Sequence, residues 1–198
     1  MTPRRAPEAG PLTAEAIIAA TEDVLRRYGP AKATVVDVAR ALNVSHGSVY
    51  RHFASKTELR EAVARGWLAR VTAGLADIAA SDRPAPERLH DWLRELAVIK
   101  RRKVLDDPEM FATYSALIPG DSPVAADHLA YLAGQVARIL ADGMASGEFR
   151  AADPPTTARA VLDATSRFHA PAHAREWTSP TIDDEFEAVV ALLLAGLA

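Results

Sequence analysis

Thr34-Val35-Val36-Asp37-Val38-Ala39-Arg40-Ala41-Leu42, then Asn43-Val44-Ser45, then His46-Gly47-Ser48-Val49-Tyr50-Arg51-His52: the reading of this chain turns on these residues. Thr34, with Asp37 three positions later, makes a capping-box-like start for a short helix from Val35 to Leu42. Val35, Val38, Ala39 and Leu42 fall on its inner face. Asn43-Val44-Ser45 interrupts the apolar period, and Ser45 supplies the cap for a second short helix over 46–52. Two short helices joined by a tight turn form a helix-turn-helix.

The second of these helices has a composition ill suited to stability alone. Gly47 costs about 1 kcal/mol relative to alanine in a helix, and it permits another surface to come close. The major groove of DNA admits one helix, whose N-terminal residues reach base edges while flanking hydroxyls and cations hold phosphates. On that geometry His46, Gly47 and Ser48 face bases. Tyr50, His52, Thr34 and Lys56 hold phosphates, Lys56 beside the N–H-rich end of the next helix, while Val49 and Phe53 point inward. The plainer alternative is a surface corner without a ligand, because short helices joined by a turn recur in unrelated helical proteins.

Working outward, Thr13 caps a preceding helix with Ile17, Thr21, Val24 and Tyr28 along one stripe and Ile18 and Leu25 beside it; Gly29 is its left-handed stop. Ser55-Lys56-Thr57-Glu58 is a capping box that opens a fourth helix through Leu59, Val63, Trp67 and Val71 toward Ala80. Further helices are expected at Pro86 to Val104, Pro108 to Ile118, Pro123 to Ser146, Pro154 to His169 and Ile182 to Leu197, four of them opening on proline. Gly120 and Gly147 mark stops. Strand signals are almost absent, so the fold class is all-α, with an arm over 1–12, a helix-turn-helix head over 13–58 and a larger helical body over 59–198.

Composition narrows the function. The chain has 198 residues, 49% of them apolar, which suffices for a substantial core and excludes a wholly disordered chain. It has no cysteine, which removes disulfides, thiolate metal sites and a cysteine nucleophile and fits a reducing compartment. The longest uninterrupted apolar or glycine stretch, Ala188 to Ala198, is too short to span a bilayer, and residues 1–11 lack the apolar core of a secretion signal. A soluble, mature, cytoplasmic protein is expected. Its net charge of −3 divides into +3 up to Arg60 and −6 beyond it, so a polyanion partner belongs at the basic end. Arg4 and Arg5 in the proline-bearing arm are candidate contacts if that arm is more than a free tail. No Gly-rich phosphate loop or triad signature is present, so neither an enzyme nor a cofactor is expected.

Thr13, Ile17, Ala20, Leu25, Gly29, Ala33-Thr34-Val35, Asp37-Val38-Ala39 and Val44-Ser45-x-Gly47-x-Val49-Tyr50-x-His52-Phe53-x-x-Lys56-x-x-Leu59 together resemble the tetracycline-repressor (TetR) family of transcriptional regulators. The resemblance implies a three-helix DNA-binding head, a fourth helix linking it to the body, dimerisation through the last two helices and release from an operator when the body binds a small molecule. It carries DNA-contact roles onto Thr34, His46, Gly47, Ser48, Tyr50, His52 and Lys56. Ser45 joins them as cap and contact together, and Arg51 as a further phosphate contact.

An effector pocket in the body should be apolar and aromatic. Trp67, Trp92, Leu96, Met110, Phe111, Tyr114, Leu117, Phe149 and Phe168 are candidates, with plain core as the alternative for each. Val161, Leu162 and Thr165, with Phe186, Val189, Val190, Leu193 and Leu194, form stripes suited to a second subunit. His169 and His173, followed by Glu176 and Trp177, have metal-ligand spacing, which Pro171 between them damages. Lys100-Arg101-Arg102-Lys103 reads as a solvated helix end, with an acidic effector or a second DNA contact as the other options. The expected partners are therefore double-stranded operator DNA, a second copy of the chain and a small-molecule effector. The alternative is a constitutive DNA binder or helical interaction module with no effector.

Overall fold

The computed structural model describes residues 12–117 and 122–198. Arg4, Arg5 and the expected stop at Gly120 lie outside the described residues. Every regular element among those described is helical: α1 (Ala14–Lys32), α2 (Val35–Ala41), α3 (His46–Tyr50), α4 (Lys56–Val71), α5 (Leu75–Ala80), α6 (Ala85–Asp106), α7 (Pro108–Ser115), α8 (Pro123–Ser146), α9 (Pro154–Ala164), α10 (Ser166–His169) and α11 (Ile182–Leu197), with a 3-10 turn at Pro171–Glu176 before α11.

Side-chain caps set the starts of the head helices. Thr13 Oγ1 accepts from Ala16 N at 3.2 Å. At α2 the box is reciprocal: Thr34 Oγ1 accepts from Asp37 N at 3.2 Å, and Asp37 accepts from Thr34 N at 3.2 Å. Ser45 Oγ accepts from Ser48 N at 3.1 Å and Ser55 Oγ from Glu58 N at 3.0 Å. Glu58 reaches one residue further back than the expected box, taking Ala54 N at 2.6 Å. Each pairing satisfies an amide that the helix itself leaves unbonded.

Several expected elements differ in the fold. Tyr28 is 43% exposed and does not extend the inner stripe, because Gly29 turns left-handed (φ 73) and redirects the chain through Pro30. The fourth helix stops at Val71. Thr72 is buried and donates its hydroxyl back to Leu68 O at 2.8 Å, and α5 starts afresh after Gly74 to pack on α6 and α8. The helix expected from Pro154 to His169 breaks at Thr165 (φ −98, ψ 5), whose hydroxyl likewise donates to Val161 O at 2.8 Å. Such a bond bends a helix without necessarily ending it, as Thr21 shows by making it to Ile17 O within α1. The helix from Pro108 ends at Ser115 rather than Ile118.

Two apolar clusters organise the chain. One joins Ile17, Leu25, Val38, Val49 and Phe53 of the head and Leu59 and Val63 of α4 to Met110, Phe111 and Tyr114 of α7. The other gathers Leu89, Trp92, Leu93, Leu96, Val136, Ile139, Leu140, Phe168 and Phe186 in the body. The head thus shares a core with α7, a helix from the second half of the chain.

Gly143 marks the closest approach in the body: a Cβ there would lie 2.7 Å from Ala85 Cβ and closer still to the Phe149 ring. Gly143→Ala is expected to cost about 1–3 kcal/mol in urea unfolding by overpacking. Gly134→Ala, on the exposed side of the same helix with nothing nearby, is expected to add up to about 1 kcal/mol.

Candidate nucleic-acid interface and body cavity

Asn43 closes α2 in the left-handed region (φ 53), a conformation asparagine tolerates better than most side chains. Val44 N then donates to Ala39 O at 3.0 Å, so the chain reverses within three residues and delivers Ser45 as the cap of α3. Val49 and Phe53 are buried, as expected. Their burial fixes which side of α3 faces out. That side carries His46, Gly47, Tyr50, Arg51 and His52 exposed and Ser48 half-buried. The His46 and Tyr50 rings meet edge to face, centroids 5.4 Å apart. Arg51 Nη2 donates to Ser48 Oγ at 3.0 Å, and the Ser45 and Ser48 hydroxyls lie 2.9 Å apart. Gly47 has no positive φ, and a Cβ there would meet only Ser45 Oγ at 3.8 Å. No contact among the described residues requires a glycine at this position.

Thr34 and Lys56, twenty-two positions apart, line one shallow cleft with Leu59 and Arg60. Arg60 had not been singled out by spacing; it donates to Pro30 O and so ties α4 to the kink of α1. Thr34 also donates its hydroxyl to Asp37 Oδ2 at 2.6 Å.

Head and body are joined at Asp107, between α6 and α7. Arg26 of α1 donates to both of its oxygens, at 3.0 and 3.1 Å, and Trp67 Nε1 of α4 donates at 3.0 Å. Partial burial pushes the Asp107 carboxyl up, and the hydrogen bonds from Arg26 and Trp67 with the charges of Arg26 and Lys103 outweigh it, so it sits below the usual value. Glu22, nearly buried, takes Arg26 at 3.2 Å and also Arg70 of α4. These groups flank an open groove of about 810 Å³ that Trp67 also lines.

A second cavity, about 270 Å³, lies in the body between α6, α7, α8 and the α9–α10 segment, and Lys100 reaches into it. Lys100 is 2% exposed. This corrects the reading of residues 100–103 as a solvated helix end: α6 runs on to Asp106, and Lys100 falls four residues after Leu96 and seven after Leu93, on the inward face. Its neighbour Arg101 is half-buried and pairs with Asp183 at 2.7 Å. Lys100 Nζ donates to His128 Nε2 at 3.3 Å and sits 5.0 Å from the centroid of the Tyr114 ring. Burial pushes the Lys100 ammonium down to about 8. Burial, with the Lys100 charge beside them, lowers His128 to about 3 and His169 to about 4, so both imidazoles are neutral near pH 7. His169 Nε2 donates to Leu162 O at 3.2 Å.

Of the expected pocket residues, Tyr114 lines this cavity and Trp67 the open groove. The others do not. Trp92, Leu96 and Met110 are fully buried core, Trp92 donating to Gln135 at 2.8 Å. Phe111 packs edge-on against Trp177, and Phe168 against Phe186. Phe149 covers Gly143, and Leu117 borders the head cluster. His169 and His173 are not brought together, because the chain turns at Pro171 and His173 Nδ1 pairs with Glu176 at 2.7 Å. Among the described residues no group of three His, Cys, Asp or Glu is placed to hold a metal ion.

Five of the eight residues in the expected dimer stripe need correction, while Val189, Leu193 and Leu194 keep exposed surface. Val161, Leu162, Thr165, Phe186 and Val190 are buried within the protomer itself, and Val189, Leu193 and Leu194 are half-buried at the edge of that core. A side chain already covered cannot cover a second chain. The outward faces of α9 and α11 carry Ala160 and Ala164, and Ala188, Leu192 and Ala195, with Leu192 75% exposed.

A helix-turn-helix head on a larger helical body is the architecture of a DNA-binding regulator. Residues 17–63 match the family model described as bacterial regulatory proteins, tetR family, and residues 85–190 match the tetracyclin repressor-like C-terminal domain. The chain belongs to the TetR family of transcriptional regulators. A helix-turn-helix transcriptional repressor of Mycobacterium tuberculosis is 38% identical over 60 residues, a stretch covering 30% of this chain and 32% of that protein. A TetR transcription regulator from Haloarcula marismortui shares the fold with a TM-score of 0.67 at 20% identity, over 93% of this chain and 97% of its own. RolR, solved with resorcinol bound, shares it with a TM-score of 0.66 at 18% identity, over 93% and 87%. No helix among the described residues is long and apolar enough to cross a membrane.

The two depressed imidazoles set an acid limit. The folded chain resists protonating His128 and His169, whereas the unfolded chain takes these protons near pH 6.5. Their contribution to stability is therefore fully present above about pH 6.5 and lost as pH falls toward their folded values. His128→Gln is expected to flatten the slope of unfolding free energy against pH between about 6.5 and 4, measured by urea titration at a series of pH values. An unchanged slope would show that His128 titrates freely in the folded chain.

Proposed function

We propose that the chain represses transcription by binding a near-palindromic operator as a homodimer and leaves it when a small molecule enters the body. The observation that carries the DNA reading is the outward side of α3. It offers hydroxyls, imidazoles and a guanidinium around Gly47, whose missing side chain serves no contact within the described chain. A bare backbone at that point lets base edges approach, with Ser45, His46 and Ser48 beside it. Tyr50, Arg51, His52, Thr34 and Lys56 surround this patch as phosphate partners.

One head makes few contacts, and a dimer turns the second engagement into an intramolecular event. Twofold symmetry then spaces the two α3 helices by about 34 Å or a multiple of it. Small residues on the outward faces of α9 and α11, with Leu192 among them, suit close helix packing across that axis. With DNA as its partner, the protein works in the cytoplasm and needs no catalytic step.

The effector reading rests on the cavity at Lys100 and on its connection to the head. Lys100 lies on α6 and Tyr114 on α7, and Asp107 between them holds Arg26 of α1 and Trp67 of α4. A ligand that shifts the α6–α7 corner moves both helices that carry the head. A coupling of about 1–3 kcal/mol changes operator occupancy about 5–150-fold, and DNA must weaken the ligand by the same factor. RolR, the structural neighbour solved with resorcinol, provides a precedent for a small molecule on this fold.

Fluorescence anisotropy on matched and mismatched operators, at several salt concentrations, tests the head. Lys56→Ala is expected to weaken every sequence alike and to lower the salt slope by about 1, and Tyr50→Phe to weaken them alike. His46→Ala and Ser48→Ala are expected to change the preference between operators by about 1–3 kcal/mol. Unchanged affinity and preference in all four would contradict the assignment. Leu192→Glu is expected to shift the sedimenting species from dimer to monomer; a persistent dimer would place the contact elsewhere.

A further inference from the structure

The Lys100 ammonium is buried with nothing to balance it. Among the described residues no carboxylate comes within 4.0 Å of it, and Asp163 at the rim of the cavity is engaged with Arg159 at 3.3 Å. Of its three N–H donors, one is used by His128. The groups around it are an imidazole, a phenol face and a second imidazole. A buried cation without a partner is costly, and apolar replacement of such a group is commonly stabilising. A chain that keeps lysine here keeps it at the expense of stability.

Several of the free polar positions at the cavity are donors; the exceptions are His169 Nδ1, left bare because Nε2 donates to Leu162 O, and the Asp163 carboxylate at the rim. Lys100 has donors to spare. The Tyr114 hydroxyl makes no hydrogen bond among the described residues, and His128, accepting at Nε2, carries its own proton on Nδ1. The rest of the lining includes Leu129, Leu132, Leu162, Ala125, Ala170 and Pro171. A volume of about 270 Å³ is just below the roughly 300–1,000 Å³ of most small-molecule sites. That volume suits a compact ligand better than a nucleotide or a long acyl chain.

We infer that this cavity takes a compact organic monoanion, a carboxylate on a small apolar body, with the charge on Lys100 and the body against Leu129, Leu132 and Leu162. The inference rests on the reading that the body cavity is the effector site, and it adds the chemical class of what enters. The carboxylate would supply the acceptors that Lys100 and Tyr114 lack, on the two helices that flank Asp107.

The test is calorimetric titration of the full chain with butyrate, benzoate and phenylacetate, and with benzyl alcohol and benzylamine as neutral and cationic counterparts. At least one carboxylate is expected to bind about tenfold or more tighter than benzyl alcohol, as a charge-assisted buried hydrogen bond would give, with benzylamine not binding. Lys100→Met is expected to remove that advantage, to leave benzyl alcohol unchanged and to melt no lower than the parent. The inference is overturned if no carboxylate binds at millimolar concentration, if benzyl alcohol binds as well as they do, or if Lys100→Met keeps their advantage. The comparison between ligands needs only the parent chain, so it decides even if the variant fails to fold. Operator binding, measured separately, keeps the two readings apart. Carboxylates that bind without releasing DNA support the ligand class and sink the effector role. Release by neutral compounds alone does the reverse.

Discussion

The Asp107 carboxylate receives three hydrogen bonds, two from the Arg26 guanidinium and one from the Trp67 indole, and through them α1, α4, α6 and α7 meet at one point. Paired forks between guanidinium and carboxylate are directional as well as strong, so they fix orientation along with distance. Partial burial raises the stakes: with any donor removed, a partly desolvated charge is left behind. Around this node the head shares an apolar core with α7, and Glu22 adds a second tie through Arg26 and Arg70. The head is therefore held to the body by a polar corner above a continuous core.

The same region of the body contains a charge that is costly to bury. Lys100 is held among neutral partners, and its presence depresses two imidazoles that burial already disfavours in their charged form. Natural proteins tolerate such penalties chiefly at sites that bind something, where local instability is offset elsewhere in the fold. The well-packed core of Trp92, Leu93, Leu96, Ile139 and Leu140 around the neighbouring turns supplies that support.

Much of the head was legible from residue order. Thr13, Thr34, Ser45 and Ser55 cap where their spacing to the following amides requires, and Gly29 takes a positive φ, as Gly147 does in the body. These are local effects, decided within four residues of each side chain. Periodicity was a weaker guide to where helices end. Thr72 and Thr165 stand at breaks that the apolar pattern ran across; each bonds its hydroxyl to the i−4 carbonyl, but Thr21 does the same inside α1 without ending it, so the breaks are set by packing beyond the local segment.

Composition was the wrong guide to Lys100. Four consecutive cations suggested a wet helix end, although the phase running from Leu93 through Leu96 already pointed position 100 inward. Part of the apolar stripe on the last helices has a related explanation: Val161, Leu162, Thr165, Phe186 and Val190 are taken up by the protomer's own core, while Val189, Leu193 and Leu194 stay half-buried and Leu192 exposed. Helix starts and the turn at Asn43 are short-range properties carried by neighbouring residues. Which aromatic fills space, which cation is buried and which face stays open depend on segments distant in the chain meeting across a core, since burial is a property of the packed assembly and of no residue alone.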